Sequence, residues 1–176
     1  MSIEELKSNL PDSAKDIKLN LSSIMTEEGA KELTVKQIYM IALSSAYSIK
    51  NRRIVSSVLE EANEYLSPVE ISATQSAAVI MSMNNIYYRF VHLVGDKSFA
   101  AMPAGLRMNA IAHSGINKVD FELCCLAVSA INGCGMCMDS HTAALTKAGV
   151  SKVSIQSAIR IAAVFNAAAL GITIAA

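Results

Sequence analysis

The 176-residue chain has no tryptophan, only three prolines and 5% aromatic residues, and its 15 basic residues balance 15 acidic ones. Neither sign of charge forms a long run, so the electrostatic footprint of a nucleic-acid or anionic-membrane partner is absent. Strand-like alternation of polar and apolar residues is nearly absent too, which argues against β-sheet. The residues that dominate instead, among them Ala, Leu, Ile, Met, Glu and Lys, lose little rotamer freedom in a helix. The composition therefore predicts an all-α fold.

Two further absences bear on the compartment. The N-terminus lacks the basic start and apolar run of a signal peptide, and the four cysteines are not spaced like a secreted disulfide scaffold. We therefore expect a cytoplasmic protein.

The most apolar stretch, residues 161–176, is interrupted by Asn166 and is shorter than the roughly 18 to 20 residues that cross a bilayer. We interpret this stretch as a closely packed helix and expect no membrane partner.

Helix starts are marked by a capping hydroxyl three residues before a Glu or Gln that can return the hydrogen bond. This pattern occurs three times: Ser2 with Glu5, Thr34 with Gln37, and Ser67 with Glu70. It predicts helices that begin near residues 3, 35 and 68. In the second half of the chain we predict helices at about 119–131, 135–148 and 153–173, with Gly149 as a left-handed stop for the middle one.

The two halves of the chain are similar in sequence. Residues 34–45 align with residues 119–130 when one is shifted by 85, which pairs Gln37 with Glu122. We therefore predict three regions. They are an inactive N-terminal helical half at 1–94, a connector at 95–115, and a C-terminal helical half at 116–176 that carries the single functional site.

The site is predicted from residues 132–141, where a glycine turn leads Cys134-x-x-Cys137 into a helix start. Unpaired N–H groups and the helix dipole stabilise a thiolate there, and Cys-x-x-Cys pairs in such positions have thiol pKa values lowered from about 8.5 to roughly 3.5 to 7.5. His141 follows Cys137 by four residues, so it lies on the same helical face and can take the thiol proton or stabilise the thiolate. This arrangement favours a redox-active dithiol over an inert buried pair. A metal-binding module that uses Cys134, Cys137 and His141 stays an alternative.

Glu122 is the only charged residue between Phe121 and Ile131. A helix that is apolar all round is normally buried, and a buried carboxylate must be paired or protonated, which would make Glu122 a proton carrier. The alternative is that Glu122 lies in the first helical turn and points to water.

Cys124 and Cys125 share this helix and are interpreted as small core residues. We expect His92 and His113 to be structural or surface residues, and methionines such as Met81 to fill the core.

With these residues in place, the chain resembles the AhpD family, alkyl hydroperoxide reductase D, of the carboxymuconolactone decarboxylase-like superfamily, and most strongly its mycobacterial type. The resemblance covers nearly the whole chain. The stretches that carry it are residues 15–23 (KDIKLNLSS), 83–89 (MNNIYYR), 105–109 (GLRMN), 121–123 (FEL) and 127–134 (AVSAINGC).

The resemblance implies an all-helical, internally repeated subunit that assembles as a homotrimer. It implies that Cys137 is the peroxidatic thiol, that Cys134 is the proton donor and resolving thiol, and that Glu122 and His141 are catalytic. No tightly bound cofactor is expected. Because a zinc site normally has four ligands and the chain offers only Cys134, Cys137 and His141, we also expect no bound metal. The expected substrates are organic hydroperoxides, the expected reducing co-substrate is dihydrolipoamide on a lipoyl-bearing acyltransferase, and the expected electron acceptor is the peroxiredoxin AhpC.

The chain departs from the mycobacterial pattern at two positions. That pattern has His between the cysteines and an acid after the last His, where this chain has Met136 and Thr142. Methionine cannot relay a proton, although both sulfurs remain. A dithiol electron carrier with weak peroxidase activity is therefore the second hypothesis, beside the lipoamide-dependent peroxidase. A decarboxylase would leave the dithiol unexplained.

Overall fold

The computed structural model describes residues 2–175, and in that range the chain forms α-helices, one 3-10 turn at Asp12–Ala14 and no strand. The all-α prediction is therefore confirmed. The helices are α1 (Ile3–Ser8), α2 (Lys15–Ile24), α3 (Val35–Ile49), α4 (Arg52–Tyr65), α5 (Pro68–Leu93), α6 (Ser98–Ala101), α7 (Asn109–Ala112), α8 (Lys118–Ile131), α9 (Gly135–Lys147) and α10 (Lys152–Ile174).

All three predicted capping boxes are formed. The hydroxyls of Ser2, Thr34 and Ser67 each accept from the backbone N–H three residues on, and the Glu or Gln at that position accepts from the backbone N–H of the cap. Each box satisfies two N–H groups that the helix leaves unpaired at its start. Gly149 has φ of +84° just after α9, as expected of a left-handed C-terminal stop.

The order of the helices matches the repeat in the sequence. Helices α8, α9 and α10 begin 83 or 84 residues after α3, α4 and α5 respectively. The predicted boundaries of α8, α9 and α10 agree with the structure to within one residue. Both sets of helices share one core, in which α3 and α8 pack against each other and against α5 and α10. The division at 1–94, 95–115 and 116–176 stays a prediction.

Helix α10 is long and apolar enough to cross a bilayer by length and composition, and it alone meets that test within the described residues. The stretch judged from the sequence began at Ile161, nine residues after the true start of this helix. Half of its most apolar window is buried inside the fold. It packs on α2, α3 and α8, as a core helix does.

The segment between α5 and α8 contains two one-turn helices, α6 and α7, and is mostly exposed. Helix α7 packs against α5. This contact places Met108 and Ile111 over the side of α5 that faces α8 and α9, where both line a pocket. The connector therefore forms one wall of the site described next.

Candidate active site

The turn before the dithiol is built from hydrogen bonds at the end of α8. The N–H of Gly133 donates to the carbonyl of Ala130 and the N–H of Cys134 donates to the carbonyl of Ser129, both at 3.1 Å. Gly133 has φ of +67°, a conformation in which a residue with a Cβ is strained. The chain thus passes from α8 to α9 in three residues, and Cys134 becomes the N-cap of α9.

Side chains from α5 fix this turn from the other side. The Asn85 amide donates to Ser129 Oγ at 3.0 Å, and the Asn132 amide donates to Asn85 Oδ1 at 2.9 Å. Arg89 Nη1 donates to the carbonyl of Asn132 at 2.7 Å. Asn85 and Ser129 are buried, so the bond between them is sheltered from competing water. The position of the cysteines is therefore set jointly by α8 and α5.

Cys134 and Cys137 form a disulfide, with their Cα atoms 5.3 Å apart. The backbone N–H of Cys137 donates to Cys134 Sγ at 3.3 Å, so the sulfur takes the place of a capping oxygen at the start of α9. Cys134 is fully buried, whereas Cys137 is 6% exposed and lines a pocket. Of the two sulfur-bearing residues, Cys137 is the one a small molecule in this pocket meets.

Glu122 and His141 are both buried, and they form a pair. Glu122 Oε2 lies 2.7 Å from His141 Nδ1, and the other ring nitrogen, Nε2, lies 3.2 Å from the sulfur of Met81. Of the two alternatives for Glu122, the buried and paired one is found. A carboxylate that holds one nitrogen of an imidazole fixes the orientation of the ring and gives it a proton partner.

The pocket has a volume of about 360 Å³ and opens between α5, α7, α8 and α9. The polar groups of the Glu122–His141 pair and the sulfur of Cys137 meet in it, among side chains that are mostly apolar. Asn84 Oδ1 is buried without a hydrogen-bond partner, and the Asn84 side chain also lines the pocket. The remaining lining residues are Met81, Tyr88, Met108, Ile111, Met136, Ser140 and Ala144.

Cys124 and Cys125 lie in the core of α8, as predicted, and are essentially inaccessible. Burial raises the pKa of Cys124 to about 12 and raises the pKa of Cys125 well above its ordinary value. A thiol that cannot ionise at neutral pH is a poor nucleophile. These two cysteines are therefore unsuited to the chemistry for which Cys134 and Cys137 are placed.

The two other histidines lie on the surface. His92 is exposed at the end of α5, and its Cε1 lies 3.8 Å from where a Cβ on Gly135 would be. His113 is exposed on the rim of a second pocket that shares Glu122 with the first. Within residues 2–175, no group of three or more His, Cys, Asp or Glu side chains is arranged to hold a metal ion.

Comparison with known proteins places this chain in a family. Residues 97–175, which include the dithiol, Glu122 and His141, match the model of the carboxymuconolactone decarboxylase family. A protein of Coxiella burnetii named alkyl hydroperoxide reductase AhpD is 52% identical over 93% of this chain and 93% of its own length. The chain belongs to the AhpD family. Its likeness to a second such relative, from Rhodopseudomonas palustris, is 51% over 98% of this chain and 93% of the relative.

A third AhpD relative, from Bradyrhizobium, is 48% identical over the whole of this chain and 96% of its own length. The likeness therefore extends well beyond residues 97–175 and includes α3 and α5. This is consistent with the geometry, because Met81, Asn85 and Arg89 of α5 contact the second-half residues that form the turn and the pocket.

The two departures from the mycobacterial AhpD pattern have different surroundings. Met136 lines the pocket next to Cys137, whereas Thr142 does not. Met136 has a thioether where that pattern has an imidazole, so the acidic, basic and hydroxyl groups that line the pocket are those of Glu122, His141, Tyr88 and Ser140. The Cys137 thiol joins them when the disulfide is reduced.

Sequence reasoning placed four residues in the AhpD site, and the structure brings Glu122 to His141 and Cys134 to Cys137. It missed the wall supplied by α5. Met81 was interpreted as core filler, and it is indeed buried, but its sulfur also contacts His141. A signal was present for Asn84 and Tyr88, because both lie in the segment 83–89 that carries the resemblance to AhpD.

Proposed function

We propose that this protein is a lipoamide-dependent alkyl hydroperoxide reductase that acts in antioxidant defence in the cytoplasm. One observation carries the proposal. A Cys-x-x-Cys pair at the start of α9 opens into a largely apolar pocket beside the buried pair of Glu122 and His141. An apolar pocket suits the alkyl group of an organic hydroperoxide, and the proton groups suit the cleavage of its O–O bond. The names of the AhpD relatives support the same reaction.

In the proposed reaction the Cys137 thiolate attacks the distal oxygen of the peroxide. A sulfur–oxygen bond forms and the O–O bond breaks, so Cys137 becomes a sulfenic acid and the peroxide leaves as an alcohol once its oxygen is protonated. The Cys134 thiol then attacks the Cys137 sulfur, which closes the disulfide and releases water. The accessibility of Cys137 and the full burial of Cys134 support this order.

Dihydrolipoamide is the proposed reductant, carried by a lipoyl-bearing acyltransferase, and no tightly bound cofactor takes part. Its two thiols reduce the Cys134–Cys137 disulfide by thiol–disulfide exchange and leave as a cyclic disulfide. Attack at Cys137 is supported by its place on the pocket wall. The restored dithiol can also reduce an oxidised partner, for which we propose the peroxiredoxin AhpC.

A second candidate is a dithiol electron carrier with weak peroxidase activity, and Met136 favours it, because a thioether in the pocket cannot relay a proton. Turnover of an alkyl hydroperoxide with dihydrolipoamide as sole reductant, with and without AhpC, separates the two candidates. A peroxidase consumes peroxide without AhpC. A carrier does so only when AhpC is added.

The cysteine assignment predicts that peroxide produces one disulfide. We expect peptide mass mapping of peroxide-treated protein to find Cys134 linked to Cys137. We also expect Cys124 and Cys125 to resist alkylation until the protein is unfolded, because burial keeps both thiols protonated. A disulfide that includes Cys124 or Cys125 would overturn the assignment.

We also propose that the protein is a homotrimer. Val79, Ile86, Phe90 and Leu93 recur at helical spacing along α5, and all four are exposed. Apolar side chains exposed along one face mark a surface for another protein. The described chain therefore has a face on which a second copy of itself can pack.

Charge on this face is expected to dissociate the trimer. We expect Leu93→Glu to shift the mass measured by light scattering from three chains to one. Leu19→Glu is the matched control, because Leu19 is similarly exposed and lies on a different helix, α2. Equal masses for Leu93→Glu and the parent would show that α5 is not the interface, and a monomeric parent would refute the trimer.

A further inference from the structure

His141 has an acceptor against each of its ring nitrogens. Glu122 Oε2 lies 2.7 Å from Nδ1, and Met81 Sδ lies 3.2 Å from Nε2. All three residues are buried, with exposures of 8%, 7% and 1% for His141, Glu122 and Met81. Whether each ring nitrogen carries a hydrogen therefore depends on whether its partner can donate a hydrogen bond or only accept one.

A thioether sulfur has no hydrogen, so Met81 can only accept. The contact at 3.2 Å is favourable if Nε2 carries a hydrogen. If Nε2 carries none, its lone pair and a lone pair of the sulfur face each other and repel. The short contact on the other side holds one further proton between Nδ1 and Glu122 Oε2, whichever of the two atoms carries it. Both ring nitrogens therefore make a favourable hydrogen bond when Nε2 carries a hydrogen.

We propose that Met81 is a positioning residue that keeps a hydrogen on Nε2 of His141, and that this N–H protonates the oxygen that leaves the peroxide. The inference rests on the proposed function and deepens it. In the peroxide step His141 is thus the proton donor, in place of the Cys134 thiol that the resemblance implies and that is fully buried. The predicted role of base follows only after this donation, when Nε2 takes up the proton of the Cys137 thiol.

The Cys137 sulfur bonds to the distal oxygen and is oxidised, the O–O bond breaks, and the proximal oxygen takes the Nε2 hydrogen and leaves as the alcohol. When a dithiol reductant later opens the disulfide, the proton that leaves the Cys137 thiol returns to Nε2. Thioether sulfur is a weak acceptor, so a developing alkoxide in the pocket can displace it.

The groups that face His141 come from several elements. Glu122 faces it from α8, Tyr88 lines the same pocket from α5, and Cys137 lies one turn earlier on α9. The connector contributes Met108 and Ile111, which do not titrate. Among these neighbours Met81 is the one whose sulfur meets Nε2, so replacing it changes the acceptor and leaves the titratable groups in place.

The test compares Met81→Leu with Met40→Leu, since both methionines are 1% exposed and Met40 lies outside the pocket. Proton–nitrogen NMR of the reduced, histidine-labelled protein detects directly whether Nε2 carries a hydrogen. With three histidines in the chain, His92→Gln and His113→Gln assign the spectrum. We expect a slowly exchanging Nε2–H for His141 in the parent and in Met40→Leu, and its loss or rapid exchange in Met81→Leu.

Activity is the second readout. We expect Met81→Leu to lower kcat/KM for an alkyl hydroperoxide about tenfold, the effect of one lost hydrogen bond to a charged group. We also expect the alkaline limb of its pH–rate profile to move to lower pH, because the ring loses its Nε2 hydrogen more readily without the sulfur. Met40→Leu should match the parent in both respects.

The outcomes separate the two proposals. An unprotonated Nε2 in the parent would overturn the role of Met81 whatever the activity. An Nε2–H that depends on Met81 in a protein that does not reduce peroxide would overturn the proposed function, and with it the acid role, while the positioning of His141 by Met81 stands. If Met81→Leu loses the Nε2–H and keeps parental activity at every pH, the acid role is wrong.

Discussion

Replacing Cys137 with Ser is expected to abolish peroxide reduction, whereas replacing Cys134 with Ser is expected to leave a trappable sulfenic acid on Cys137. A serine hydroxyl is not ionised at neutral pH and cannot replace the thiolate that attacks the peroxide. Without Cys134 the oxidised Cys137 has no resolving partner within reach, because Cys124 and Cys125 are buried in α8. The sulfenic acid should therefore persist.

This prediction is checked by treating each variant with one equivalent of peroxide and a sulfenic-acid probe, then mapping the adduct by mass spectrometry. Cys124→Ala is the control, because it removes a sulfur from the core and leaves the dithiol intact. An adduct on Cys134 in the Cys137→Ser protein, with none on Cys137 in the Cys134→Ser protein, would mean that the two roles are exchanged.

Loss of either member of the Glu122–His141 pair is the second large effect. We expect Glu122→Gln and His141→Phe each to lower peroxidase turnover about 10² to 10⁴-fold, the range for removal of a general acid or base. Each should also move thiol alkylation to higher pH, because in the proposed mechanism the pair stabilises the Cys137 thiolate. Turnover and alkylation rates across pH 6 to 9 measure both effects.

Stability separates the two variants. His141→Phe leaves the Glu122 carboxylate buried without its partner, and breaking a buried pair in this way costs about 3–5 kcal/mol. Glu122→Gln leaves a neutral amide that can still accept, so it should cost less. Urea unfolding of both variants and of the double variant tests this, because the double variant contains no unpaired carboxylate.

In the double variant we expect part of the stability lost by His141→Phe to return while activity stays low. Parental turnover in both single variants across this pH range would show that the dithiol works without the pair. Independent, additive losses of stability in the double variant would show that Glu122 and His141 are not coupled.

The sequence was sufficient for features that depend on neighbours along the chain. The capping boxes at Ser2, Thr34 and Ser67 each join residues three positions apart, so the pattern determines the hydrogen bonds. The same holds for Gly133 and Cys134, which close a turn within the span of a few residues. These are the places where the predicted helix starts agree with the structure.

Features that depend on packing could be predicted only in part from the sequence. The burial of Glu122 could be suspected from its apolar helix, but its partner lies 19 residues away on α9, and only the packing of α8 on α9 brings them together. Met81 lies 60 residues from His141. Nothing in the sequence spacing of Met81 distinguishes it from Met40, which is buried in the core and does not line the pocket.

The measurement that most directly tests the central claim is consumption of an alkyl hydroperoxide by the purified chain with dihydrolipoamide as the sole reductant. Thioredoxin replaces dihydrolipoamide in a parallel reaction, and Cys137→Ser serves as the blank. The account predicts catalytic turnover with dihydrolipoamide, little with thioredoxin, and none in the blank. Equal peroxide loss in Cys137→Ser and in a parent whose Cys134–Cys137 disulfide is fully reduced at the start would contradict it.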